Sequence, residues 1–225
     1  MRPDLTERLL RLGTAERDLL QDLYQARFAT RAQAEDLAVL AGGDLPGLLA
    51  SGLAREVTGE TESVVYLGQS GTRAALAMLG EEVANGQRAY AALRLGHELR
   101  RTALYVALRR AGMPAAAYRA EPRLGYRSAA GLGERTLVPD ALVRTVAGEA
   151  LIEVDRATEG QGQLRHKWLR YREWQEDGPR RDLYVLADAR APVEASLRAA
   201  GLGATVLEEP WQLARLIWLQ AAAQV

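Results

Sequence analysis

TLVPDALVRTVAGEALIEVD, residues 136–155, is the stretch on which the reading of this chain turns. Two apolar runs, 136–146 and 150–155, flank Ala147-Gly148-Glu149, a tight-turn combination, so the segment reads as two neighbouring strands. Side chains two apart on a strand point to one face, which puts Glu153 and Asp155 together. A hairpin between the two runs brings Asp140, just after Pro139, close to Glu153. Taken singly, each acid has a plain structural role: an Asp after Pro is a common turn residue, and Glu-x-Asp on a strand is commonly a solvated face.

The segment that follows raises the stakes. A helix is expected from about Gln161 to Glu176, and Gln163, Lys167 and Tyr171 recur along it at i, i+4, i+8, on one broad face. The chain has 29 Lys plus Arg, and Lys167 is its one lysine. A compact ammonium is not equivalent to a planar guanidinium where a small charge must sit beside a phosphate or a bound water. Carboxylates converging on one point repel unless a cation neutralises them, and hard oxygen donors favour Mg²⁺ or Mn²⁺. An ion held by Asp140 and Glu153, with Asp155 or Glu98 assisting, would polarise a phosphate oxygen and acidify a water. Lys167 would orient or deprotonate that water, or stabilise charge in the transition state. Glu98, beside His97 on an earlier helix, has the alternative of pairing with Arg94 or Arg101.

Working outward, the first eighty residues read as three helices, a hairpin and a fourth helix. Thr14 caps a helix to about Ala26, Thr30-Arg31 opens a second to about Leu40, and Asp44 caps a third to about Leu53. Strand-like runs 54–57 and 63–67 flank the polar stretch 58–62, and Ser70-Gly71-Thr72 starts the last helix. That order matches a winged helix-turn-helix. Its recognition helix offers few groups for base edges, chiefly Ser51 and Arg55, while Glu60 and Glu62 at the wing tip would repel phosphates. The module therefore suits weak or non-specific DNA contact, with dimerisation or partner docking as the competing role.

GEEVANG, residues 80–86, is the expected linker, giving domains 1–82 and 83–225. Beyond it we expect a long helix from about Arg88 to Ala111 and a Gly-rich loop between Gly125 and Gly133. The 136–155 strand pair and the Lys167 helix come next. They are followed by a strand at 183–187, a helix at 192–200, a strand at 204–207 and a final helix at 211–223. Helices alternating with strands in this order describe a mixed-sheet α/β sandwich, so the whole chain is α+β and α/β in character.

Composition bounds the rest. Net charge is zero, so any nucleic-acid contact must come from local arginine clusters rather than a global basic field. Cysteine is absent, which removes disulfides, thiolate metal sites and thiol nucleophiles and fits a reducing cytoplasm. No apolar run reaches membrane-spanning length and the first residues lack a signal-peptide layout. Trp168, Tyr171 and Trp174 read as core packing rather than a base-stacking platform.

Residues 88–210, with Pro139-Asp140, Glu153 after a short hairpin, and Gln163 and Lys167 on the next helix, resemble the PD-(D/E)XK nuclease superfamily. With the preceding winged helix, the chain resembles the replication-relaxation family of plasmid and mobile-element proteins. Glu153-Val154-Asp155-Arg156-Ala157-Thr158-Glu159 and His97-Glu98 carry that second resemblance. The position two after Glu153, where the superfamily pattern has lysine, is Asp155; the resemblance then implies that Lys167 takes the role from the following helix. It implies a metal-dependent DNA nuclease that nicks or cleaves, with Arg55, Ser51, Arg156, Gln163, Arg165 and Arg170 as nucleic-acid contacts. Two further readings stay open: a DNA- or replication-protein-binding regulator on the same scaffold without hydrolysis, and a homodimer joined through the winged helix.

Overall fold

A computed structural model describes residues 11–59, 62–79, 94–127, 133–145, 148–157, 160–177 and 181–219. The chain is a mixture of helices and strands and divides into two compact units, Met1–Arg110 and Ala111–Val225. The expected linker at 80–86 and the wing-tip residue Glu60 lie outside the described residues.

The first unit contains α1 (Thr14–Ala26), β1 (Phe28–Thr30), α2 (Arg31–Ala41), α3 (Leu45–Ala50), β2 (Ala54–Thr58), β3 (Ser63–Leu67), α4 (Gln69–Leu79) and α5 (Leu95–Arg110). Leu19, Leu20, Leu23 and Ala26 recur at helical spacing and bury one face of α1. Thr30 starts α2 with a reciprocal cap: its hydroxyl accepts from Gln33 N at 3.1 Å, and its own N–H donates to Gln33 Oε1 at 2.9 Å. A three-stranded antiparallel sheet, ordered β1-β3-β2, completes the unit. Gly71 is required where α4 meets the sheet, because a Cβ there would collide with the Leu53 carbonyl.

Three expectations are corrected. Thr14 is the first helical residue rather than the cap; Gly13 holds the capping position. The third helix stops at Ala50, since Gly52 adopts a positive φ of 74° that turns Leu53 back into the core. Strand β1 was not foreseen. Three residues are too few to show alternation, and only the pairing of Phe28 with Tyr66 and of Thr30 with Val64 makes them a strand.

Helix α5 packs with α1, α2 and β1 and so belongs to the first unit. The reason is polar as well as apolar. Arg101 donates to the carbonyls of Gln25 at 3.1 Å and Ala26 at 3.3 Å, and Thr102 Oγ1 donates to Phe28 O at 2.6 Å. The Arg101 bonds satisfy carbonyls that the end of α1 leaves without helical partners, and the Thr102 bond ties α5 to β1.

The second unit runs through a 3₁₀ turn (Ala115–Ala117), β4 (Tyr118–Ala120), β5 (Leu124–Arg127), β6 (Glu134–Leu137), β7 (Ala141–Thr145), β8 (Gly148–Asp155), α6 (Gln161–Asp177), β9 (Asp182–Ala187), α7 (Arg190–Ala200), β10 (Thr205–Leu207) and α8 (Pro210–Ala214). A π-helical turn, Arg215–Leu219, follows α8. The mixed five-stranded sheet has the order β10-β9-β8-β7-β4: β8, β9 and β10 run parallel, and β7 is antiparallel to both β8 and β4. Helices α6 and α7 bury Leu164, Trp168, Tyr171, Trp174, Val193 and Leu197 in one cluster with Leu142, Leu151, Leu183 and Val185 of the sheet. Parallel strands with apolar residues on successive positions, as in β8 and β9, are what burial on both faces demands.

The expected strand from 136 to 146 is two strands. Pro139 lacks an N–H and cannot continue a ladder, so β6 ends at Leu137 and β7 begins at Ala141. The expected glycine-rich loop also begins later than Gly125. Leu124–Arg127 is a strand paired with β6 in a separate two-stranded sheet, and Tyr126 and Leu137 reach the main core.

Candidate functional site

The break at Pro139 creates the site. Ala141 pairs with Ile152, so Asp140 stands just beyond the end of β7, level with Glu153 on β8. There its side chain replaces a missing strand partner: Asp140 Oδ2 accepts from Val154 N at 2.7 Å. The turn residue and the strand acid are thereby locked side by side.

Glu153 and Asp155 lie on the β8 face that carries Leu151, the face covered by α6 and α7. Both are nearly fully buried, at 3 % exposure each. Strand β8 ends at Asp155, and α6, from Gln161, carries Lys167 and Tyr171 back over Glu153. Lys167 Nζ lies 2.5 Å from Glu153 Oε2, and the Tyr171 hydroxyl donates to Glu153 Oε1. The lysine side chain keeps 21 % of its surface open while the carboxylate beneath it is enclosed. A partly exposed ammonium over a buried acid is the resulting arrangement.

Electrostatics follow from this enclosure. Burial pushes the Glu153 carboxyl up to about 8, and the nearby Asp140 charge pushes the same way; Lys167 and the Tyr171 hydroxyl pull it back. Tyr171 is raised well above the ordinary phenol range, first by burial and then by the Glu153 charge. Asp155 is held differently. Its Oδ1 accepts from Ala157 N at 2.6 Å, and Ala157 itself takes a positive φ of 55°, costly for a residue with a Cβ. Its Oδ2 is buried with no hydrogen-bond partner, an arrangement that costs free energy unless a ligand completes it.

Among the described residues, no group of three or more Asp, Glu or His side chains is gathered to hold a metal ion. Mg²⁺ in particular uses one or two carboxylates and takes its remaining oxygens from water and substrate phosphates. Asp140 and Glu153 supply such a pair of hard donors. Their mutual repulsion, and the incomplete Asp155 two residues along the same strand, are what a divalent cation would relieve.

The structure therefore brings Asp140, Glu153 and Lys167 together, with Asp155 on the same strand face. Glu98 belongs to the first unit, where its buried carboxylate binds Arg101 Nη2 at 2.5 Å. It takes the pairing alternative, and we assign it to that unit's packing. Ser51 donates from Oγ to Leu48 O at 3.0 Å, closing the end of α3, and Arg55 is exposed on β2. Gln163 accepts from Gly160 N at 3.3 Å and so helps start α6. Arg156 lies 3.6 Å from Asp188, Arg170 Nη2 donates to Thr136 O at 2.7 Å, and Arg165 is exposed. Thr158 and Glu159 lie outside the described residues.

Trp168, Tyr171 and Trp174 are buried, as expected of core residues. What the sequence reading missed is that the Tyr171 hydroxyl reaches Glu153. The signal was present, since Tyr171 follows Lys167 by four residues on one helix face, but an aromatic in an apolar helix reads first as packing.

No helix among the described residues is long and apolar enough to cross a membrane. Comparison with curated proteins and with solved structures finds no match. The replication-relaxation family model matches residues 20–184, a span that begins in α1, runs through the Asp140–Glu153–Lys167 cluster and ends in β9. The chain belongs to the replication-relaxation family, which suggests a replication-related role.

Proposed function

We propose that this protein acts on DNA in plasmid or mobile-element replication, in the cytoplasm, as a Mg²⁺- or Mn²⁺-dependent nuclease that nicks or cleaves. The observation that carries the reading is the placement of Lys167 Nζ 2.5 Å from Glu153, on the acid that lies level with Asp140. That is the acid–acid–amine set of the PD-(D/E)XK pattern, with the amine delivered from α6 because β8 has Asp155 at the lysine position. The sheet order and the break before Asp140 support a fold of that type for the second unit, Ala111–Val225. The order of α1 to β3, with a three-stranded antiparallel sheet, supports a winged helix within the first unit.

In this reading Asp140 and Glu153 would hold the cation, with Asp155 assisting, and the cation would supply charge neutralisation of the acids and polarisation of a phosphate oxygen. Lys167 donates hydrogen bonds to the phosphate oxygen on which negative charge grows as water adds and the P–O bond breaks. Burial keeps Glu153 away from bulk water, which strengthens each of these interactions. Exposed Arg156, Arg165 and Arg170, together with Gln163, flank Lys167 along β8–α6 and would hold the sugar-phosphate backbone. Arg55 and Ser51 would add contacts from the first unit.

The direct test incubates purified protein with Mn²⁺ and supercoiled plasmid. Nicked or linear product is expected, and none from Asp140→Ala. Full activity in that variant would remove Asp140 from the mechanism. One observation favours a second reading: both Glu153 oxygens and Asp140 Oδ2 already have protein partners, which would suit a self-neutralised cluster in a regulator that binds DNA or a replication protein. Calorimetry separates the two, because that regulator would bind DNA but neither metal at millimolar concentration. A dimer through the first unit would show in light scattering.

A further inference from the structure

We infer that Tyr171 is the positioning residue of the cation site, fixing the Glu153 carboxylate for a divalent ion; this rests on the nuclease reading above. Tyr171 is 1 % exposed, and its ring is held 5.9 Å from that of Trp168 within the core beneath the sheet. Its hydroxyl therefore has a fixed position, and it donates to Glu153 Oε1. Lys167, one helical turn earlier, binds Oε2 of the same group. Two donors from one rigid helix thus grip the two oxygens of one carboxylate and stop rotation about its last torsion.

The grip leaves room for a ligand. An ionised carboxylate has about four acceptor sites, and two donors occupy two of them, so each oxygen keeps a lone pair. A residue that only packed the core would need no polar atom here. A hydroxyl buried against an acid is costly unless the bond is made, which ties the ring's position to the carboxylate's. Groups that orient a metal's direct ligands commonly change its affinity by about 10- to 100-fold when they are removed.

The test measures Mn²⁺ binding by calorimetry on the full chain and on Tyr171→Phe, which keeps the ring and removes one oxygen. The wild type should bind Mn²⁺ and the variant should bind it about 10- to 100-fold more weakly. Plasmid nicking by the variant should recover when Mn²⁺ is raised, so the concentration for half-maximal rate moves while the saturated rate stays close to wild type. Unchanged Mn²⁺ affinity in Tyr171→Phe overturns the inference and leaves the nuclease reading intact. Absence of Mn²⁺ binding in the wild type overturns both. If Tyr171→Phe is destabilised, Trp174→Phe, which disturbs the same core but keeps the hydroxyl, is compared at a temperature where both are folded. Equal weakening in the two variants also overturns the inference.

Discussion

Both units bury acids, yet they treat them in opposite ways. In the first unit Asp22 is enclosed with Tyr105 Oη at 2.5 Å and Arg109 Nε at 2.9 Å, and Glu98 with Arg101. The Asp22 contacts join α1 to α5, and the Glu98 charge, within α5, holds the Arg101 guanidinium that binds the end of α1. In the second unit Glu153 is bound by a lysine that opens to solvent, and Asp155 keeps one buried oxygen with no partner. A buried charge with a complete set of partners holds structure together, whereas one left short of partners is available for a ligand. The contrast also explains why burial alone is a poor guide to function: Asp22 and Glu98 are as hidden as Glu153.

The largest expected effect is at the acid outside the strand. Asp140→Ala removes a cation donor, and metal-dependent nicking should fall by on the order of a thousandfold, measured by single-turnover plasmid cleavage. Retained Mn²⁺ binding in that variant would erase the distinction between the units. In the first unit, Glu98→Gln leaves Arg101 buried without its counter-charge. Unfolding of that unit should be easier by about 3–5 kcal/mol, read from urea melts, with Mn²⁺ affinity unchanged in the protein that remains folded. Lost Mn²⁺ affinity with normal stability would mean that Glu98 is a ligand after all.

Lys167→Met should lower the rate by about 10²- to 10³-fold with little change in DNA affinity, and Lys167→Arg should not restore it. Recovery by arginine would show that only a positive charge is needed there.

The pH dependence sharpens the same point. Glu153 is raised to about 8 by burial, so it favours the protonated fold. Its contribution to stability without metal is fully present below the ordinary carboxylate pKa and is lost as pH rises through about 8. A cation needs the ionised form, so Mn²⁺ affinity should climb by up to about tenfold per pH unit between pH 6 and 8 and then level off. A flat profile would show that Glu153 does not ligate.

The smallest effect is expected at Arg55→Ala, with DNA affinity reduced a few-fold for all sequences and the salt slope lowered by about one. A loss confined to one sequence would instead make the first unit a specific reader.

Much of this was legible in the letters. Apolar spacing located α1, α2 and α4 and the strands around Glu153, and Gly148, with a positive φ of 134°, stands where β8 begins. Other features needed the folded chain. Strand β1 exists only through its pairing with β3. The Leu124–Arg127 strand was hidden by the glycines that follow it.

What the sequence determined alone was local: which residues form strand or helix, that Glu153 and Asp155 share a face, and that Lys167 and Tyr171 share another. Those follow from backbone periods of 2 and 3.6, which are written in residue spacing. Only the tertiary structure decided which face met which. It set Lys167 and Tyr171 on Glu153, gave Glu98 to Arg101, and left one oxygen of Asp155 without a partner. Burial and pairing of charge depend on distant segments meeting, and that information is not carried by any single stretch of chain.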